Sequence, residues 1–92
     1  MIAVNNNDLK LTKELLEMGV NLNYYHEGKT ALHYAVEKGY EDLIELLLEN
    51  RADINALDTK GWNALGYSEW YGHKEISDLL LNKGISQDNL GR

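Results

Sequence analysis

In the middle of the chain, apolar residues recur at the spacing of a helix, with polar residues between them. Between Glu41 and Glu49, leucine and isoleucine form a broad apolar stripe, and acidic residues occupy the positions between them. Such a stripe predicts an amphipathic helix with one buried face. The Ala- and Leu-rich stretch before it opens at Thr30, a preferred N-cap residue, and closes at Gly39, a preferred C-terminal stop, which predicts a shorter helix. Residues 54–61 are rich in turn-forming types and predict a loop.

Three units share this template of helix, reversal, helix and projecting loop, although the first unit lacks the turn and has only a stub of its leading helix. The segment 28–40 aligns with 61–73, which lies 33 positions later, and the segment 47–55 aligns with 15–23 at an offset of 32. One such unit cannot bury its own apolar face, so neighbouring units must stack, and about three are the usual minimum for stability. The repeats therefore predict a small solenoid.

The repeated unit resembles the ankyrin repeat, which combines a turn glycine, Thr-Pro-Leu-His, a Leu-rich helix and Gly-Ala-Asp-Val-Asn. In the middle unit the resemblance is carried by Gly28, Thr30, Leu32, His33, Ala35, Gly39, Leu46, Leu47, Leu48, Ala52, Asp53, Ile54 and Asn55. It implies an all-α solenoid of stacked antiparallel helix pairs with projecting loops. Alanine replaces the proline at Ala31 and Ala64, the turn at 26–28 is one residue short, and Gly66 replaces a histidine.

The chain is expected to form a single ankyrin-repeat domain over residues 1–92. Its predicted parts are an N-terminal partial or capping repeat at 1–23, a middle repeat at 24–55, a C-terminal repeat at 56–86 and a tail at 87–92. The outer repeats have polar residues at positions that are apolar in the middle repeat, namely Thr12 and Glu14 in the first and Ser77 in the third. Because terminal repeats need a wettable outer face, this pattern predicts a self-capped protein, and a boundary cut from a longer array is the alternative.

Composition and charge narrow the classes of partner. The sequence contains no cysteine, which excludes a disulfide framework and a thiolate zinc site. A formal net charge of −6 repels nucleic acid and anionic membrane surfaces and favours a basic protein partner. No apolar run reaches the roughly 20 residues of a membrane span, and the first residues lack the pattern of a signal peptide. We therefore expect a cytoplasmic protein that is a monomer when free.

Sequence spacing offers no candidate for catalysis, for a metal site or for a cofactor. His26, His33 and His73 do not stand at the i, i+4 spacing of a helical zinc site. The resemblance implies instead that His33 is a structural hydrogen-bonding residue. No serine or threonine lies in a nucleophile elbow, and no glycine-rich loop could hold phosphate. Asn55 resembles the asparagine that oxygenases hydroxylate in some ankyrin proteins, and a turn hydrogen bond is the alternative.

The resemblance implies a concave binding surface formed by the loop tips and the inner helices. The residues expected on it are Tyr25, Glu27, Lys29, Glu37 and Lys38 in the middle repeat and Leu57, Thr59, Lys60, Trp62, Trp70 and Tyr71 in the third. Tyr34 and Tyr67 lie one helical step away and are expected to complete the surface.

Four aromatic residues, Trp62, Trp70, Tyr71 and Tyr25, are the expected anchors of this surface, because buried aromatic side chains are frequent interface hot spots. Trp70 and Tyr71 are adjacent in one short helix, so at least one of them should face solvent. The alternative is that Trp62 and Trp70 fold back to cover a third repeat that Gly66 weakens.

These observations predict a non-enzymatic module that binds a basic protein through its concave face and loop tips. The alternative is a dedicated inhibitor, such as an immunity protein or antitoxin that neutralises a cationic nuclease. An enzyme is disfavoured because no catalytic constellation is present, and self-association through the aromatic residues remains open.

Overall fold

A computed structural model of the chain describes residues 9–19, 23 and 25–85, and in that part it is all-helical, as the repeats predict. Its helices are α1 (Leu9–Glu17), α2 (Ala31–Lys38), α3 (Glu41–Glu49), α4 (Ala64–Trp70) and α5 (Lys74–Asn82). None of these described helices has the length and apolar character of a bilayer span. The predicted start of the first repeat before Leu9 and the predicted tail at 87–92 lie outside the described residues.

Local hydrogen bonds set the ends of α2, as the sequence predicts. The side chain of Thr30 accepts from the backbone N–H of His33, and the His33 ring accepts from the backbone N–H of Thr30, so the two residues form a capping box. Gly39 ends the helix in the left-handed conformation at φ 78°, and its N–H is bonded to the carbonyls of Ala35 and Val36. The chain can therefore reverse at once into α3.

The core lies between the helix pairs, where α2 packs against α3 and α4, and α4 packs against α5. The apolar residues that are at most 1% exposed are Ala35, Val36, Leu43, Ile44, Leu47, Ala64, Leu65 and Leu80. Small side chains on α2 and α4 allow the two inner helices to approach closely. The acidic residues of α3 stay exposed on the opposite face, so the predicted amphipathic stripe is confirmed.

Three polar residues of the outer repeats, Thr12, Ser68 and Ser77, take part in packing. Thr12 is 4% exposed, so the expectation that it lies on a wettable outer face is wrong, whereas Glu14 is exposed. In the third repeat the Ser68 hydroxyl lies 2.7 Å from the Ser77 hydroxyl, and Ser68 also donates to the carbonyl of Leu65. This hydroxyl pair joins α4 to α5 at positions where the middle repeat has alanine and isoleucine.

The two projecting loops differ by one residue, which explains the short turn seen in the sequence. His26 and Lys29 exchange backbone hydrogen bonds across Glu27 and Gly28, whose φ angles of 53° and 81° describe a two-residue turn with both central residues left-handed. The next loop has three residues between Asp58 and Trp62. The loops are joined directly, because the N–H of Thr59 donates to the carbonyl of Gly28 at 3.1 Å.

Replacing Glu27 with asparagine should raise the free energy of unfolding by about 0.5–1 kcal/mol, since asparagine tolerates the left-handed conformation better than glutamate. Replacing Gly28 with alanine should lower it by more than about 1 kcal/mol, because the added Cβ would lie 2.8 Å from the Thr59 hydroxyl oxygen. Urea denaturation measures both changes. A loss of stability in Glu27→Asn would contradict the strain assigned to this turn.

His33 links the middle repeat to the third. Its Nε2 lies 2.9 Å from the carbonyl oxygen of Trp62, its Nδ1 accepts from Thr30, and its ring centre lies 4.9 Å from that of Tyr67. These contacts confirm the structural role that the resemblance implies. Burial lowers the pKa of His33 below its ordinary value, and the neutral ring then donates to Trp62 through Nε2–H.

Stability should therefore fall as the pH drops below about 6.5, because the unfolded chain binds a proton at His33 that the folded chain excludes. Urea denaturation between pH 7.5 and pH 5 measures this slope. His33→Gln keeps an acceptor and a donor without a titrating group, so its free energy of unfolding should change less over the same range. An equal slope in both proteins would show that His33 is not the responsible group.

Candidate functional site

The two loops and the second half of α4 enclose an open groove with a volume of about 410 Å³. We call this the aromatic groove, and its lining residues are Glu27, Gly28, Lys29, Asp58, Thr59, Lys60, Trp62, Tyr67, Trp70 and Tyr71. Each loop projects because its turn is closed by backbone hydrogen bonds. The fold therefore presents loop backbone, charged side chains and aromatic rings on one face.

Equivalent positions in consecutive repeats carry different chemistry in this groove. In the middle repeat, the Lys29 ammonium lies 3.0 Å from the Glu37 carboxylate. The residues 33 positions later are Trp62 and Trp70, whose ring centres lie 5.7 Å apart with an 85° angle between their planes. The same backbone geometry therefore holds an ion pair in one repeat and an edge-to-face aromatic pair in the next.

The outward position of Trp70 and Tyr71 confirms the expectation that at least one of them faces solvent. Trp70 is 73% exposed and Tyr71 is 48% exposed. Trp62 is half-buried and packs against the core and, at 88°, against the Tyr67 ring. The alternative in which the indoles cover the third repeat thus holds in part for Trp62 and is wrong for Trp70.

Tyr34 and Tyr67 are both buried. Tyr34 does not line the groove, so the expectation that it completes the surface is wrong, whereas Tyr67 lines the groove with the little of its surface that is exposed. Their relative exposures are 9% and 6%, because each ring packs beneath a projecting loop and each hydroxyl bonds to that loop. Tyr34 donates to the carbonyl of His26 at 3.3 Å, and Tyr67 donates to the Asp58 carboxylate at 2.6 Å. The two tyrosines therefore brace the walls of the groove from inside.

Asp58 is a structural residue of the groove that the sequence analysis missed. One carboxylate oxygen accepts from the backbone N–H groups of Lys60 and Trp62, and the other accepts from Tyr67. Burial alone would raise the pKa of Asp58, but these hydrogen bonds outweigh it and hold the pKa below its ordinary value. An aspartate at the start of a Thr-Lys-Gly turn is the sequence signal that identifies it.

Lys29 and Glu37 lie at positions that the repeat template predicts to be exposed, and both side chains are partly buried. The Lys29 ammonium lies 5.2 Å from the centre of the Tyr34 ring and 5.6 Å from that of Tyr67. Its hydrogen bond to Glu37 raises the pKa of Lys29 despite some desolvation. Lys29 therefore forms a charged part of the groove wall, and its ammonium group is paired with a carboxylate of the same chain.

The other predicted surface residues are exposed, and some of them lie outside the aromatic groove while others line it. Tyr25 is 45% exposed and Leu57 36% exposed, and the Tyr25 hydroxyl donates to the Leu57 carbonyl at 2.6 Å. This contact joins the two residues that directly precede the loops. Lys38 is exposed at the end of α2. Glu27, Thr59 and Lys60 are exposed and line the groove.

Within the described residues, no three His, Cys, Asp or Glu side chains cluster in a way that could hold a metal ion. The Nε2 atoms of His33 and His73 each lie within hydrogen-bonding distance of a backbone carbonyl, that of Trp62 and that of Glu37. The backbone N–H of Asn55 donates to the Asp53 carboxylate at 2.9 Å, and Asn55 is exposed. This turn hydrogen bond uses the backbone of Asn55 and not its side chain, so it does not decide between a structural role and hydroxylation, and both stay predictions.

Replacing Tyr67 with phenylalanine should lower the free energy of unfolding by about 1–2 kcal/mol at neutral pH, because the bond to the charged Asp58 is lost. The matched variant Tyr34→Phe loses only a neutral bond and should cost less. Since the Asp58 pKa is depressed in the folded chain, its stabilisation is present above the ordinary value of 3.8 and is lost as the pH falls further. Urea denaturation from pH 6 to pH 3 should show the Tyr67→Phe deficit narrowing, and a constant deficit would contradict this role.

A family model described as ankyrin repeats, in three copies, matches residues 1–90. The Notch-regulated ankyrin repeat-containing protein of Xenopus laevis is 35% identical over 86 residues, which cover 88% of this chain and 75% of that protein. Potassium channel AKT1 of Oryza sativa subsp. indica is 37% identical over 83 residues, which cover 89% of this chain and 9% of the channel.

Two further similarities involve much longer proteins. ARF GTPase-activating protein Git of Drosophila melanogaster is 38% identical over 82 residues, which cover 87% of this chain and 11% of that protein. The solved structure of the Legionella effector AnkH superposes with a TM-score of 0.89 at 30% identity, over 96% of this chain and 19% of that one. The chain thus matches a small part of the potassium channel, of Git and of the effector, and the greater part of the Notch-regulated protein.

Proposed function

The chain belongs to the ankyrin-repeat family, and from this premise we propose that it is a non-enzymatic module that binds a protein partner in the aromatic groove. Ankyrin repeats generally mediate protein–protein interactions. The single observation that carries the proposal is the exposure of Trp70, at 73%, beside the 48% exposed Tyr71. Burying side chains of this size against a partner is a common source of interface hot spots.

The groove is well suited to binding because its walls are fixed before a partner arrives. The two loops are joined by the bond from Thr59 to Gly28, and Tyr34 and Tyr67 brace them from below. A site that is already ordered loses less conformational entropy on binding. More of the free energy gained by burying the exposed rings then contributes to the affinity.

The charge of the chain supports a basic partner. The formal net charge is −6, and the exposed outer face of α3 carries Glu41, Asp42, Glu45 and Glu49. A field of this sign accelerates the encounter with a cationic protein and makes the association rate depend on salt. In this proposal the field attracts the partner, the groove provides the contact, and the free chain is a monomer.

The test is affinity capture from the native cell with the wild-type chain and with Trp70→Ala. Because the Trp70 side chain is mostly exposed, the variant should keep its helical circular dichroism. Its affinity for the captured partner should fall about 30-fold, as expected for a hot spot of about 2 kcal/mol. Met18→Ala is the matched control, since Met18 is 78% exposed in α1's repeat, away from the groove.

Equal affinity of the wild type and Trp70→Ala for that partner would refute the role of the groove. Measuring the association rate at low and high salt tests the charge of the partner, because a basic partner should bind more slowly as salt screens the field. If the partner is an enzyme whose turnover stops on binding, the module is a dedicated inhibitor.

A further inference from the structure

The aromatic groove already holds a cation of the chain itself, the Lys29 ammonium, beside two aromatic rings. The Lys29 ammonium lies 5.2 Å from the Tyr34 ring centre and 5.6 Å from that of Tyr67, and 3.0 Å from the Glu37 carboxylate. Aromatic faces attract a cation through their quadrupoles, and the carboxylate adds a direct charge. In this part of the groove, aromatic rings and a carboxylate therefore bind a positive charge.

In the next repeat, tryptophans occupy the positions equivalent to the lysine and the glutamate. Trp62 occupies the position of Lys29, and Trp70 occupies that of Glu37. Both cation–π contacts in the described part of the chain use Lys29, and neither uses Trp70. Since 73% of Trp70 is exposed and Trp62 meets it edge to face, the Trp70 indole presents open surface to a partner.

The charges of the groove favour a cation over an anion at this place. Two carboxylates, those of Glu27 and Asp58, and two ammonium groups, those of Lys29 and Lys60, line the groove, and the Glu37 carboxylate beside the lining pairs with Lys29. The Lys29 ammonium is paired with Glu37, so its charge is largely compensated. The small negative excess has the same sign as the net charge of the chain, −6.

From these observations, and resting on the proposed function, we propose that the partner places an arginine side chain from a basic segment on the Trp70 indole. The planar guanidinium stacks well on aromatic faces and is more weakly hydrated than an ammonium group. An arginine also supplies the positive charge that the groove's carboxylates attract. A leucine or phenylalanine would bury the same indole but would leave that negative excess uncompensated.

The probe is a pair of blocked nonapeptides that are identical except for a central arginine or its neutral isostere citrulline, in a Gly/Ser background with one lysine on each side. Binding is followed by NMR titration of the tryptophan indole N–H signals of the full chain. The arginine peptide should bind about two- to fivefold more tightly than the citrulline peptide, the range for a cation–π contact at an exposed site.

Three variants separate a cation–π contact from general attraction and from simple apolar contact. Trp70→Leu keeps a large apolar side chain but removes the ring, so the two peptides should bind it almost equally. Trp70→Phe keeps a ring with a weaker quadrupole and should give an intermediate ratio. Met18→Ala should keep the wild-type ratio, and because Trp70 is mostly exposed all variants should fold, as circular dichroism would verify.

The inference is overturned if arginine and citrulline peptides bind the wild type equally, if neither binds, or if the preference persists in Trp70→Leu. It is also overturned if a leucine-centred peptide binds more tightly than the arginine peptide. In each of these cases the proposed function still stands, provided that Trp70→Ala loses the natural partner. The proposed function fails separately, when that partner binds the wild type and Trp70→Ala equally.

Discussion

Stacking of α2 on α4 is the contact on which the rest of this molecule depends. Each helix pair has an apolar face that it cannot bury alone, and Ala35, Ala64 and Ser68 are small enough for the inner helices to come close. His33 then crosses from α2 to the carbonyl of Trp62, and the loop bond from Thr59 to Gly28 follows the same register. Helix packing therefore fixes where the loops project, and the loops in turn define the groove.

A backbone fixed in this way allows the chemistry of the groove to change from repeat to repeat without changing its shape. Lys29 and Glu37 form an ion pair at two positions, and Trp62 and Trp70 form an aromatic pair at the equivalent positions one repeat later. Tyr34 and Tyr67 are identical in the two repeats because their position carries the loops. In the groove, the two tyrosines beneath the loops are thus repeated, whereas the residues at the two positions beside them differ between the repeats.

The sequence predicted the fold closely because local patterns determine it. The bounds of α3 follow from its apolar stripe, and the start of α2 follows from its N-cap at Thr30. The site was predicted less well, since burial of Tyr67 and the partial burial of Lys29 result from contacts with neighbouring loops and helices. Repeat spacing shows which positions are equivalent. It does not show which side chains of the neighbouring loops and helices pack against each position.

The hydroxyl pair of Ser68 and Ser77 has a consequence for how binding and folding are coupled. It replaces the alanine and isoleucine that the middle repeat buries, so the last helix pair gains less from removing apolar surface from water. We therefore expect local opening of this pair to cost less free energy than opening of the middle pair, and α4 carries Trp70. A partner that binds the indole only while this pair is closed would therefore also stabilise the last helix pair against local opening.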